Sequence, residues 1–337
     1  MPTTNQTNLK RPMKIFRKIL LGIAALVLII AGMFFYFVYV PKPPEPELSG
    51  NYARHTLESN FITRNFSSYT PKGLSEGSAL IFVLHGSKGN GDQIRTTSAY
   101  EFDLLADKLG FIVVYPDGYM NHWNDCRVSA DYAANTQDID DTVFFTDMIA
   151  FFSDSGLVDF DKIYVTGHSN GGHMAYRLAL EIPERFAAVA PISANLPVNE
   201  NLGCNKSGKP ISIAIFNGTN DPINPFEGGL VTILGNTSRG EVLSSEDTAI
   251  YWKDLAGIKR PASVIPHPET DGVKQTSISE QRWLGESGIQ VRLYTLSGSG
   301  HVIPSKIAHF PRLLGGDAGD LSGPDEIVTF FLNSRNH

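Results

Sequence analysis

One stretch constrains the fold of this chain more than any other: Lys162-Ile-Tyr-Val-Thr-Gly-His-Ser-Asn-Gly-Gly172, continued by His173-Met-Ala-Tyr-Arg-Leu-Ala-Leu180. Ile163 to Thr166 is a β-branched and aromatic run that reads as a strand. From Gly171 onward Met174, Leu178 and Ile182 recur every fourth residue, as on one face of a helix. Gly167-x-Ser169-x-Gly171 joins the two. A reversal this tight strains the serine backbone, lifts its Oγ off the sheet edge and leaves no room for a Cβ on either side. The helix N-terminus behind it offers free N–H groups to a developing oxyanion. Ser169 therefore reads as a nucleophile. Gly73-Leu-Ser75-Glu-Gly77 repeats the pattern, but in a Pro71-Lys-Gly loop without strand or helix, so it reads as a surface turn.

Around that turn, apolar runs alternate with helical patterns. Strands are expected at Ala53 to Leu57, Arg64 to Tyr69, Ala79 to Leu84, Phe111 to Tyr115, Ala187 to Ile192, Ile211 to Phe216 and Val291 to Leu296. Helices are expected at Ala99 to Leu109, after a cap at Asp140-Asp141 with Phe144, Met148 and Phe151 or Phe152 facing inward, at Glu246 to Ala256 and at Pro324 to Leu332. The alternation implies an α/β domain with a doubly wound, mostly parallel sheet, whose active groups gather at the carboxyl ends of strands.

A serine hydroxyl needs a base, and the base needs an acid to fix its tautomer. The strand Ile211 to Phe216 runs into Asn217-Gly-Thr-Asn-Asp221-Pro222, and the strand Val291 to Leu296 into Ser297-Gly-Ser-Gly-His301. Asp221 and His301 are the expected acid and base, in the chain order Ser, acid, His. His168 and His173 precede any later acid, His267 and His309 lie in Pro-rich loops, His337 ends the chain, and Asp117 precedes the serine. For the oxyanion, the backbone N–H of Asn170 is one expected donor. The loop His85-Gly86-Ser87 supplies the other, assigned to Ser87. His85 and Trp123 are candidates for substrate contact, Trp123 equally for core packing.

The N-terminal part is separate. Ile19 to Val40 is uncharged and apolar, and at about 1.5 Å per residue spans roughly 33 Å, enough for a bilayer core of about 30 Å. Lys10, Arg11, Lys14, Arg17 and Lys18 precede it. The expectation is a cytoplasmic tail at 1–18, a transmembrane signal anchor at 19–40, a stiff Pro-rich linker at 41–49 and one catalytic domain at 50–337 outside the membrane, periplasmic or on the cell surface. Cleavage would make it secreted, but the run ends in Phe35-Tyr-Phe-Val-Tyr-Val40 without an Ala-x-Ala-like site. Cys126 and Cys204 read either as a disulfide, favoured outside the cytoplasm, or as two unrelated thiols. With 42% apolar and 19% charged residues the chain builds a large core, and its net charge of −7 gives no basic footprint for nucleic acid. No His/Cys cluster has zinc spacing.

Leu84-His-Gly86, Val114-Tyr-Pro-Asp-Gly118 with Trp123-Asn124, Asp140-Asp-Thr-Val-Phe144, Tyr164-Val-Thr-Gly-His-Ser-Asn-Gly-Gly172, Phe186-Ala-Ala-Val-Ala-Pro191, Asn217-Gly-Thr-Asn-Asp-Pro222 with Phe226-Glu-Gly-Gly229, and Gly298-Ser-Gly-His301 occur in this order. Together they resemble the polyhydroxybutyrate depolymerase and feruloyl esterase group of α/β-hydrolases. The resemblance implies a carboxylic ester hydrolase with Ser169, Asp221 and His301 as its triad, no metal and no organic cofactor. It also implies a hydroxyalkanoate, feruloyl or acetyl ester as substrate. The chain departs from the group at Gly86-Ser-Lys-Gly-Asn, where many relatives have a Cys-Gly-Gly-like run. It departs again at Ile303, where relatives usually place a Trp that lines the acyl or sugar pocket. No separate substrate-binding domain is expected to follow. The alternative is a surface binding module on a hydrolase scaffold whose hydrolysis has been lost.

Overall fold

The computed structural model describes residues 10–153, 156–267, 277–317 and 319–334. Contacts divide the chain into two units, Met1–Pro41 with Pro311–Leu313, and Lys42–Phe310 with Leu314–His337. In the first, helix α1 (Lys10–Phe37) carries no acidic residue. Its segment Met13–Phe37 contains an 18-residue stretch of mean hydropathy 2.7 and is long and apolar enough to cross a membrane, as anchors and signal sequences are.

The second unit is built on strands. In chain order they are β1 (Asn51–Ser59), β2 (Ile62–Thr70), β3 (Ser78–Leu84), β4 (Phe111–Pro116), β5 (Val158–His168), β6 (Ala188–Ile192), β7 (Ser212–Gly218), β8 (Gly229–Leu230), β9 (Glu241–Val242), β10 (Ser263–His267), β11 (Ser277–Leu284) and β12 (Gln290–Ser297). Its helices are α2 (Gly91–Thr97), α3 (Glu101–Leu109), α4 (Ala133–Thr136), α5 (Asp141–Ser153), α6 (Asn170–Glu181), α7 (Ser245–Leu255) and α8 (Gly323–Leu332). One sheet takes the order β1-β2-β4-β3-β5-β6-β7-β12-β11-β10, while β8 and β9 pair apart from it. From β4 to β12 every neighbour is parallel. Antiparallel pairs finish both edges. This is a mostly parallel α/β-hydrolase sheet.

Alternate residues of each central strand enter opposite cores, as the twofold strand period requires. Leu80, Phe82, Ile112, Val114, Ile163, Val165, Ile213 and Ile215 join Phe145, Met148, Met174 and Trp252 on one face. Ile81, Val83, Val113, Tyr115, Tyr164, Phe216 and Tyr294 join Phe102, Leu105, Ile327 and Phe331 on the other. The register then brings strand ends together: Leu84 lies beside Gly167, His168 beside Ile192, and Leu296 beside Gly218. The loops after β3, β5, β7 and β12 therefore open on one rim.

Three local readings change. The helix expected from Ala99 starts at Glu101, because Ala99 and Tyr100 both take positive φ. His267 ends the edge strand β10 instead of lying in a loop. The stretch expected as a stiff Pro-rich linker is docked in its second half. Glu45 pairs with Arg95 at 2.8 Å, Leu48 packs against the core, and Ser49 donates from both N–H and Oγ to Asp107 at 2.7 Å.

Candidate active site

Ser169 stands between β5 and α6 with φ 57° and ψ −118°, a conformation costly for a residue with a Cβ. Its N–H donates to Ile192 O at 2.8 Å and its carbonyl accepts from His173 N at 2.9 Å, so both neighbours of the turn are pinned. A Cβ at Gly171 would meet Leu84 O at 2.6 Å, and one at Gly167 would collide with Gly171 O. The glycines permit helix α6 to sit directly on the ends of β3 and β5. Ser169 itself stays partly exposed. Ser75, the serine of the second pentad, lies in an exposed turn.

Asp221 and His301 meet. His301 Nδ1 lies 2.7 Å from Asp221 Oδ2, both side chains almost wholly buried. The other carboxylate oxygen, Oδ1, accepts from Ile223 N at 2.8 Å and Asn224 N at 2.9 Å, so the turn after β7 holds the acid rigidly. The carboxylate places the proton on Nδ1 and leaves the lone pair on Nε2. His301 is held by its backbone, with its N–H donating to Leu314 O at 2.6 Å and Gly300 N donating to Gly316 O at 2.8 Å. A side chain at Gly300 would collide with Leu314 O. The ring of His168, next to the serine, lies 4.8 Å from that of His301. Burial, and then the nearby His301, push the His168 imidazole well below its ordinary range. It stays neutral and adds no charge to oppose a cation on His301.

On the other side of Ser169 lies the turn after β3. A Cβ at Gly86 would come within 3.3 Å of the Ser169 Cβ. Gly89 N donates to Gly86 O at 3.1 Å, closing the turn that carries Ser87, and Lys88 N donates to Asn121 O at 2.8 Å. Asn170 opens helix α6 as its first residue, where a backbone N–H has no intrahelical partner. The turn and the helix start flank the serine, the arrangement an oxyanion hole requires.

Residues 65–200 match the family model described as Esterase PHB depolymerase. The chain is 30% identical over 199 residues to a probable feruloyl esterase C of Aspergillus niger, covering 56% of this chain and 68% of that one. The chain belongs to the polyhydroxybutyrate depolymerase and feruloyl esterase group of α/β-hydrolases. It is thus a carboxylic ester hydrolase by family. It is also 29% identical over 270 residues to a putative esterase, NocK, of Nocardia uniformis subsp. tsuyamanensis, covering 77% of this chain and 75% of that one. An acetyl xylan esterase from Aspergillus awamori shares the fold, with a TM-score of 0.54 at 15% identity, covering 83% of this chain and 99% of that one.

Within this esterase His85, Trp123 and Ile303, the three residues considered at the substrate pocket, are all buried. His85 is buried: its Nε2 accepts from Gly118 N at 2.9 Å and its Nδ1 donates to Gly86 O at 2.7 Å. Burial lowers its imidazole to about 4, against weaker raising effects from Gly86 O and Asp117. A neutral ring with both nitrogens engaged shapes the turn and has nothing left for a substrate. Trp123 has no exposed surface, and its indole N–H donates to His85 O at 2.9 Å. Ile303 is also buried, in the same core as Leu321 and Ile327.

Sequence reasoning missed Asp125, Arg127 and Tyr132, buried polar residues in the irregular segment after β4. Arg127 Nη2 donates to Asp125 Oδ2 at 2.5 Å and the Tyr132 hydroxyl donates to the same oxygen at 2.6 Å. Two opposite charges flanking Cys126 in the sequence were the available signal. Cys126 and Cys204 form a disulfide with Cα atoms 5.0 Å apart across 78 residues.

Proposed function

We propose that the chain is a serine ester hydrolase working through an acyl-enzyme. Ser169 Oγ attacks the ester carbonyl carbon while His301 Nε2 takes its proton, and Asp221 holds the imidazole and stabilises the imidazolium. The backbone N–H groups of Asn170 and Ser87 receive the carbonyl oxygen as it becomes an oxyanion. Collapse breaks the ester C–O bond, and His301 returns the proton to the departing alcohol. A water then repeats the sequence on the acyl-serine and frees the acid. The observation that carries this reading is the strained Ser169 turn on the same rim as the 2.7 Å His301–Asp221 pair. The substrate class is a hydroxyalkanoate, feruloyl or acetyl ester, in keeping with the relatives' names.

The reading extends to location. Helix α1 anchors the protein, with its basic N-terminal flank on the cytoplasmic side and the catalytic unit outside. The apolar segment and the disulfide, a bond that persists in oxidising compartments, support it. A fluorophosphonate tests the chemistry: it labels the wild type and leaves Ser169→Ala unlabelled. A folded wild type that takes no label overturns the mechanism. Turnover of p-nitrophenyl butyrate, methyl ferulate and a hydroxybutyrate oligomer then ranks the three ester classes.

A further inference from the structure

The buried segment Trp123–Asp125 touches both sides of the serine. Asn170 Oδ1 accepts from Trp123 N at 2.9 Å, and Asn170 Nδ2 donates to Trp123 O at 3.2 Å, to the Tyr132 hydroxyl at 3.1 Å and to Asp125 Oδ2. The indole of Trp123 meanwhile holds His85 O, one residue before Gly86. One piece of irregular chain thus grips the start of helix α6 and the turn after β3.

We propose that Asp125 is a positioning residue for the oxyanion hole, acting through the side-chain amide of Asn170. The assignment rests on the esterase mechanism given above. Asn170 must present its backbone N–H to an oxygen whose charge develops only in the transition state, so its orientation affects the rate more than substrate binding. All the described contacts of its side chain lie on this segment and on Tyr132, and Asp125 is the charged acceptor among them. Burial alone would raise the Asp125 carboxyl, but Arg127 beside it prevails and holds it at about 2. The carboxylate is therefore ionised wherever His301 can act as a base. Tyr132 donates to it and Arg127 neutralises it, so a full negative charge faces Asn170 Nδ2 without being stranded in the core. A fixed amide fixes the peptide plane that follows Ser169.

The experiment uses the full-length protein in detergent, with rates expressed per Ser169 titrated by fluorophosphonate. Asp125→Asn keeps the shape and removes the charge. Asn170→Ala keeps the backbone donor and the Asp125–Arg127–Tyr132 cluster, and so covers the case in which Asp125→Asn does not fold. For either folded variant kcat on p-nitrophenyl butyrate falls about 10- to 100-fold, below the roughly 10²–10³ of losing a donor outright. KM changes little, and inhibition by butylboronic acid, a tetrahedral anion on the serine, weakens by the same factor as kcat/KM. Unchanged kcat per titrated site, or a loss confined to KM or to the number of titrated sites, overturns the assignment. A wild type that neither labels nor turns over ester defeats the underlying mechanism and this assignment with it, a result distinct from a reactive wild type with unaffected variants.

Discussion

Asp221 shows how far a single atom's partners determine a residue's effect. Oδ1 is committed to two backbone N–H groups, from Ile223 and Asn224, and only Oδ2 faces His301. In Asp221→Asn the amide oxygen keeps the two N–H donors, so its NH₂ turns toward His301 Nδ1. The imidazole must then accept at Nδ1 and carry its proton on Nε2, where it cannot take one from Ser169. The expected outcome is a fall in kcat of about 10⁴-fold on p-nitrophenyl butyrate with an unchanged melting temperature. His85 makes a different statement, about stability. Its folded value of about 4 lies below the ordinary 6.5, so between those values the unfolded chain binds more protons than the folded one. Its contribution is complete above pH 6.5 and disappears as pH falls toward 4, amounting to about 3 kcal/mol at about 1.4 kcal/mol per unit. His55, His122, His168 and His173 are lowered too and act in the same direction. Urea unfolding at pH 7 and pH 4.5 should show the drop, and His85→Gln should lessen it.

At the scale of elements, β3, β4, β7 and the second half of β5 were legible because residues buried on both faces leave a short, mostly apolar run, and a run has a length that identifies it. The loops carrying Ser169 and Asp221 were legible for the same reason, each directly following such a strand, and His301 because a glycine-rich loop follows β12. The segment from Asp117 to Asp140 was not. Its conformation comes from hydrogen bonds reaching 45 and 47 residues along the chain, from Asp125 and Trp123 to Asn170, and these leave no period in the sequence. The same lack made Trp123 ambiguous. The edge strand β10 escaped because it holds Pro266, which only an edge tolerates, and because most of it is exposed. The disulfide closes this irregular segment onto Cys204. Joining residues 78 apart should stabilise by about 4 kcal/mol in the chain-entropy view. Cys126→Ser with Cys204→Ser should lower the urea midpoint accordingly, and reductant should do the same to the wild type and nothing to the double variant.

At the scale of the molecule, the proposed boundary between the apolar N-terminal segment and the unit that follows can be tested by where the chain tolerates being cut. The apolar segment Met13–Phe37 buries nothing within its own unit, so a chain that keeps it should need detergent for extraction. Removing residues 1–41 deletes that segment and leaves every contact of the second unit in place. Removing residues 1–50 goes further. It strips Glu45 from Arg95, Leu48 from the core, Ser49 from Asp107, and Gly50 from the Tyr69 hydroxyl, to which its N–H donates at 2.7 Å. Arg95 would keep Asp103, so that ion pair survives. Of the three hydrogen bonds that Asp107 accepts, only the one from the Tyr69 hydroxyl would remain. The half-exposed Glu45 pair is worth less than about 1 kcal/mol, and the Ser49 bonds to a carboxylate and the lost apolar packing add roughly 1–2 kcal/mol. A unit of this size loses roughly 2–4 °C per kcal/mol. The shorter deletion should therefore be soluble without detergent and match the full-length protein in kcat/KM and melting temperature. The longer one should be soluble, active and several degrees less stable by calorimetry. Equal melting temperatures for the two would show that residues 42–50 are a free spacer after all.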